Sequence, residues 1–189
     1  MSSSKIPALG YALLGLLRQK PSSGYDLRKI FSSTSMKTYS DSPGAIYPAL
    51  RRLEKNGLIR GRIEQGTGLR RRQVFRLTSK GLAELRKWIT SPVTREDLAH
   101  GPGLIMLRFA FSEVAVGTGT SLQLLHSFKA EIESYLQVLR KELHARSLVA
   151  PTSARLAFEY GIRGTECFLE WTRYAASIYE KENRKESEP

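Results

Sequence analysis

The chain has 189 residues, 41% of them hydrophobic and 25% charged, enough apolar content for one large globular core or two small ones. Its formal charge of +12 points to a polyanionic partner. The single cysteine, Cys167, excludes an internal disulfide and a paired-cysteine zinc site, so a reducing cytoplasmic compartment is expected.

The opening MSSSKIPALG has no long apolar signal core. Residues 7–17, PALGYALLGLL, are apolar almost all round, and Pro7 suits a first helical position. They predict a helix buried on several sides, in part by the second half of the chain or by a partner chain. Next, KPSSGYDLRKIF carries a turn at Pro21 and a cap at Ser22 or Ser23, predicting a second helix with Tyr25, Leu27, Ile30 and Phe31 inward. The polar MKTYSD is the expected turn into a third helix.

That third helix lies in SDSPGAIYPALRRLEKNGLI, residues 40–59. Ser42 can cap it, Pro43 has the pre-set φ of a first helical residue, and Gly57 can take the left-handed turn that ends a helix. Ile46, Ala49, Leu50 and Leu53 fall on one face, leaving Gly44, Tyr47, Pro48, Arg51, Arg52 and Lys55 mostly on the other. One face asks for a core and the other for an anion. Pro48 conflicts with a start at Pro43, because past the first turn a proline removes a backbone bond and clashes. The helix is therefore expected to begin nearer Gly44 or to kink.

Residues 58–64 (LIRGRIE) and 73–77 (QVFRL) are short β-branched and aromatic runs. Between them, QGTGLRRR supplies Gly66 and Gly68 to turn the chain and Arg70, Arg71 and Arg72 as a basic tip, predicting a β-hairpin. A hairpin directly after a basic helix is the wing of a winged helix, with the helix in the major groove and the tip along adjacent backbone or minor groove. Thr78 then caps SKGLAELRKWI, with Leu82, Leu85, Trp88 and Ile89 apolar and Gly81 a small liability. Two prolines and two glycines make residues 91–103 the expected linker.

Charge marks the same boundary. Residues 1–89 carry 18 Lys plus Arg against 5 Asp plus Glu, whereas residues 90–189 carry 12 against 13. The whole cationic excess therefore sits in the first half, as expected of a nucleic-acid-binding module (residues 1–90) joined to a neutral one (residues 104–189).

In that second half, residues 103–116 are the most apolar run, but Arg108 and Glu113 interrupt it and it is too short for a bilayer, so no membrane association is expected. Residues 104–111 predict a short helix, and the GTGT of residues 117–120 a break. From Ser121 to Ala145, Leu122, Leu125, Phe128, Ile132, Tyr135, Leu136, Leu139 and Leu143 recur every three or four residues, the pattern of a long amphipathic helix. After Pro151, Ser153 can cap a second one with Leu156, Tyr160, Cys167, Phe168, Trp171, Tyr174, Ala175 and Ile178 on its stripe. The pair predicts an antiparallel helical hairpin with aromatic surface left over. A second copy can cover it, giving a homodimer whose recognition helices lie about one DNA turn, ~34 Å, apart on a pseudo-palindromic operator. A monomeric helical bundle is the plainer alternative.

The run LLGLLRQKPSSGYDLRKIF, the SPGAIYPALRRLEKNGLI stretch and the RRRQVFRLTSKGLAEL continuation resemble the PadR family of bacterial transcriptional regulators over about residues 5–90. Resemblance to the longer PadR proteins, including the AphA-like virulence activators, implies a helical second half that dimerises. Mainly α, with an N-terminal winged helix-turn-helix of three helices plus a wing and a C-terminal domain of long antiparallel helices, is the expected fold class. The expected function is sequence-specific regulation of transcription, as a repressor; a winged-helix module binding protein or RNA without catalysis is the alternative.

An exposed charged helix face is usually only solvated, but agreement with the wing arginines favours phosphate contact for Arg51, Arg52, Lys55, Arg70, Arg71 and Arg72. Base readout is expected near the helix start, at Ser42, Gly44 and Tyr47; Tyr47 has two further options, packing on the wing or bonding a phosphate. His100, His126 and His144 are scattered, with no metal-binding spacing, phosphate-cradling loop or nucleophile elbow, so no enzyme, metal or cofactor is expected. In an apolar stripe Cys167 reads as a small buried hydrophobe. The family includes sensors of aromatic acids and drugs, which implies a small aromatic effector, but the residues themselves define no ligand site.

Overall fold

The computed structural model describes residues 6–34, 36, 39, 44–65, 71–146 and 150–187. In chain order the elements are α1 (Ala8–Gln19), β1 (Ser22–Ser23), α2 (Gly24–Ser33), α3 (Ile46–Lys55), β2 (Ile59–Gln65), β3 (Arg71–Leu77), α4 (Ser79–Ile89), α5 (Arg95–Ala99), α6 (Gly103–Ala110), α7 (Ser112–Val116), α8 (Thr118–Arg146) and α9 (Thr152–Ser187). They form two compact units, one within Met1–Thr90 together with Ala110–Val116, the other within Ser91–Phe109 together with Gly117–Pro189.

In the first unit α1 is the hub. Every residue from Gly10 to Leu17 is buried, and α1 packs on α3, α4, β3 and α7. Pro7 is the N-cap rather than the first helical residue. The extra cover for this all-apolar helix comes from the later segment: a Cβ on Gly15 would lie 2.2 Å from the Phe111 ring, so the bare glycine is what admits that ring. Leu13, Leu14, Leu27, Ile46, Leu50, Ile59, Leu85 and Ile89 complete the fully buried core. Tyr11 stacks flat on Trp88 at 4.2 Å between ring centroids and its hydroxyl donates to Glu84. Burial, reinforced by that carboxylate, pushes the Tyr11 phenol up to about 12.

Ser23 caps α2 through a reciprocal capping box, its Oγ accepting from the Asp26 amide while the Asp26 carboxylate accepts from the Ser23 amide. Leu27 and Phe31 turn inward as expected, but Tyr25 is 63% exposed. Ser22 and Ser23 also pair with Phe75 and Val74, so the wing hairpin gains a third strand in the order β1-β3-β2. Thr78 Oγ1 donates to the carbonyls of Gly57 and Leu58 and accepts from the Gly81 amide, tying the entry of β2 to the exit of β3 while capping α4. Gly81 is not a liability: an added Cβ would stand 2.0 Å from the Leu58 carbonyl oxygen, so only glycine lets α4 approach β2 this closely.

The second unit begins in the expected linker stretch, which holds a short helix, α5, capped by a Thr94–Asp97 box. Gly117, at φ +85°, is the whole break before α8; the other residues of GTGT are already helical. Likewise α9 starts at Thr152, so Ser153 lies inside it. Three polar contacts mark the α8–α9 register: the His126–Glu180 contact and the ion pairs Glu133–Arg173 and Arg140–Glu166. Each step of seven along α8 is a step of seven back along α9, so the helices run antiparallel. Their seam is lined by Leu125, Phe128, Ile132 and Leu136 from α8 and by Ile162, Leu169, Thr172, Ala175 and Ala176 from α9. Trp171 is edge-on to Phe109 and stacks with Phe168. Arg108 is buried, donates to the Ser91 carbonyl and lies 5.7 Å from the centre of the Phe128 ring; burial pulls its pKa down and Asp97 opposes that.

The predicted α9 stripe is corrected by this seam. Leu156, Tyr160 and Tyr174 are exposed at 54%, 80% and 64%, and Cys167 is exposed as well. The helix has two apolar seams, and periodicity alone ran them together.

Gly81→Ala should cost about 1–3 kcal/mol, the usual penalty of overpacking against a fixed group. Thermal unfolding followed by circular dichroism checks it; an unchanged midpoint would contradict the close α4–β2 approach.

Candidate nucleic-acid interface

The first helical residue of α3 is Ile46, which puts Pro48 third. Backbone N–H groups in a first turn have no partner inside the helix, so Pro48 gives up no bond and its ring meets no carbonyl. The first intrahelical bond runs from the Ala49 amide to the Ala45 carbonyl, 3.1 Å. The proline conflict thus resolves through a late start. Ala45 is the N-cap and offers no side-chain cap; Ser42 and Pro43, expected as cap and first residue, lie outside the described residues.

Ile46, Leu50 and Leu53 are buried, whereas Gly44, Tyr47, Pro48, Arg51, Arg52 and Lys55 are exposed. Among the described residues, the side chains of Arg51, Arg52 and Lys55 have no hydrogen-bond or ion-pair partner. Three adjacent cations held in water without a counter-charge suit an anion brought from outside. Tyr47 lies against α2: a Cβ on Gly24 would be 2.6 Å from its Cε1 atom. At 43% exposure, its ring is wedged on one side and open on the other.

The C-terminal end is fixed from three directions. Gly57, at φ +71°, makes the left-handed turn, and the Leu58 amide reaches back to the Leu53 carbonyl at 2.9 Å. Lys80 Nζ, from α4, donates to the Asn56 carbonyl at 2.9 Å. Glu54 Oε1 accepts from the Gly61 amide at 2.7 Å. Because β2 is an edge strand, that amide has no ladder partner on its outer side, and the helix carboxylate supplies one. A Cβ on Gly61 would meet the ends of two long side chains, the Gln73 amide nitrogen first and Glu54 Oε1 second, at 2.8 Å for the latter.

In the hairpin, Gln65 stands opposite Arg71 and Glu64 opposite Arg72. Arg71 and Arg72 are therefore strand residues, not the loop residues expected, and both are exposed. The Arg71 side chain has no partner among the described residues. Arg72 lies 3.9 Å from Asp26, a long, solvent-exposed pair that holds it weakly. The Asp26 carboxyl is held below the usual range, first by the Ser23 hydroxyl and then, among smaller influences, by Arg72. Arg70 lies outside the described residues, as do Gly66 and Gly68. Glu54, Gly24 and Lys80 were not singled out in the sequence; only the adjacency of Glu54 to a helix end and Gly61 within a strand hinted at them.

Three helices on a small antiparallel sheet, with an exposed cationic helix running directly into a hairpin, define a winged helix-turn-helix. Residues 13–87 match the Transcriptional regulator PadR-like family. The chain is 39% identical over 82 residues to the negative transcriptional regulator PadR of Bacillus subtilis, covering 43% of this chain and 44% of that protein. Over 187 residues it is 25% identical to a probable transcriptional regulator of Mycobacterium tuberculosis, covering 92% of this chain and 99% of the relative. A crystal structure of Bacillus subtilis PadR in complex with operator DNA aligns over 90% of this chain and 98% of its own, at 22% identity and a TM-score of 0.42. The likeness to the PadR-like regulators is thus carried by the N-terminal unit, and the chain spans less than half the length of the Bacillus subtilis relative it matches there.

Replacing Glu54 with Ala should leave the Gly61 amide without its acceptor, at about 1–3 kcal/mol. Amide hydrogen exchange should show Gly61 losing protection while the β2–β3 ladder amides keep theirs. Unchanged exchange at Gly61 would remove the helix-to-wing tie.

Proposed function

We propose that the protein is a sequence-specific DNA-binding regulator of transcription, a repressor working as a homodimer on a pseudo-palindromic operator in the cytoplasm. The observation that carries this is the set of uncompensated cations on α3, Arg51, Arg52 and Lys55, continued by Arg71 and Arg72 on the adjoining hairpin. The DNA-binding unit comprises residues 1–90 with the returning segment 110–116, and the dimerisation unit residues 91–109 with 117–189, in place of a division at a free linker over residues 91–103. In this reading α3 enters the major groove, Gly44 and Tyr47 approach base edges beside Ser42, and the cations, Arg70 included, bind phosphates.

Support for the dimer comes from α9. Tyr160, Cys167 and Tyr174 recur every seven residues and all are exposed, the spacing of a helix seam that awaits a partner helix. Bacillus subtilis PadR has been crystallised with p-coumaric acid, and release by a small aromatic effector belongs to the same proposal. Such a ligand works by binding better to a dimer whose helix spacing misfits the operator. Among the described residues no helix is long and apolar enough to cross a membrane.

Gel shifts with genomic fragments at rising salt test the proposal. A preference for particular fragments should survive moderate salt; its complete loss would favour a module that binds protein or RNA. Arg71→Ala and Arg72→Ala should each weaken binding to all sequences and make the salt slope shallower by about 1, and unchanged affinity would remove the wing from the interface.

A further inference from the structure

Two cavities of equal size, about 480 Å³ each, open along the α8–α9 hairpin and differ in chemistry. One is edged by Glu133, Arg140, Glu166 and Arg173, the members of two ion pairs. The other lies within the second unit where α5 and the turn after it meet α8 and α9, and among the described residues no charged side chain lines it. Its walls are Leu98, Tyr135, Leu139, Phe158 and Phe168. Phe168 is backed by the stacked ring of Trp171. The turn is held by the Gly101 amide, which donates to the Leu98 carbonyl at 3.0 Å with Gly101 at φ +92°. Gly161 and Gly164, both inside α9, give the cavity a bare floor: an added Cβ at either would meet no heavy atom within 4 Å. Glycine inside a helix is costly against alanine, and here no close packing among the described residues requires it, in contrast to Gly15 and Gly81. The size is that of small-molecule sites, roughly 300–1,000 Å³.

We propose that this cavity binds one uncharged, flat, mainly apolar molecule per chain. A charged ligand would lose its water here and find no counter-charge, so the lining selects against carboxylates and ammonium groups alike. Aromatic walls over a glycine floor suit the face of a ring system, because bare backbone lets a plane approach where side chains would hold it off. Polar handles are few. The Thr165 hydroxyl already donates to the Gly161 carbonyl at 2.9 Å and keeps only acceptor capacity, while the Tyr135 hydroxyl has no hydrogen-bond partner among the described residues. The site gives the effector of the proposed function a place and a charge class; it rests on that reading for what occupancy does, not for whether binding occurs. The competing occupant is a second copy of this chain, since Tyr160, 80% exposed, stands at the rim and on the α9 seam. A partner helix, ~10 Å across, closes such a rim without fitting inside the space behind it.

The test uses the full chain and two dyes with the same ring body, neutral N-phenylnaphthylamine and the anionic anilinonaphthalene sulfonate, both of which brighten on leaving water. The neutral dye should bind saturably at one per chain, and the sulfonate about tenfold more weakly or worse, because its charge gains no partner. G161L/G164L fills the floor and should cost about tenfold or more in affinity for the neutral dye. Its melting temperature should stay at or above that of the wild type, since leucine is the better helix former and open space receives it. G161A/G164A adds only a methyl at each position; it should lower the affinity severalfold and covers the case in which the leucine pair disturbs folding. Equal affinity for the two dyes overturns the charge class, and undiminished binding by both variants overturns the site. If the wild type binds neither dye the proposal fails, and a weaker dimer of G161L/G164L in sedimentation would then give the space to the second copy. Dye binding is measured without DNA, so a chain that binds the neutral dye but shows no fragment preference in gel shifts keeps this site and loses the regulatory reading.

Discussion

The bond between Glu54 and the Gly61 amide is the constraint on which the interface depends. A recognition helix and a wing are useful together only if the angle between them is fixed, and here the fixing is done within eight residues of chain. Gly57 turns the backbone, and the Glu54 carboxylate satisfies an edge amide that the sheet leaves open. Thr78 and Lys80 act on the same corner from the far end of the hairpin, so β2, β3, α3 and α4 meet at one hydrogen-bonded junction. The rigidity comes from polar groups satisfied at close quarters, on a core that is otherwise aliphatic.

On this scaffold the cations are deployed with almost no local compensation. Acids in the N-terminal half are few, and those that matter structurally are occupied: Asp26 in the α2 capping box, Glu54 at the corner, Glu84 under Tyr11 and Glu64 beside Arg76. Self-repulsion of this kind lowers the stability of an isolated domain and is relieved when phosphates arrive. The C-terminal half uses the opposite arrangement, with acids and bases in near-equal number and three acid–base contacts across the α8–α9 seam. One chain thus contains a charged surface suited to a polyanion and another that is internally balanced.

Much of this was legible in the residues. The helices and the two strands of the wing followed from periodicity and from the Ser23 and Thr78 caps, and Gly57 behaves as its type requires. What stayed hidden depended on groups brought together from afar. Pro48 looked like a defect because the helix start was placed at Pro43; with Ile46 first, it occupies a position where its missing N–H costs nothing. Gly81 looked like weakness because the Leu58 carbonyl pressing on it is twenty-three residues earlier. Tyr25 and Cys167 sit at apolar spacing yet face solvent, since helical period says that a stripe exists but not which of two seams a core will use. Arg71 and Arg72 read as loop because arginine clusters have no strand signature, and the ladder extends beneath them all the same.

The central claim is that two recognition helices engage one DNA site, and hydroxyl-radical footprinting on a selected fragment tests it most directly. Two protected patches related by a two-fold axis and centred about one helical turn apart, ~34 Å, are predicted. A single patch, or protection spread evenly along the fragment, would contradict it.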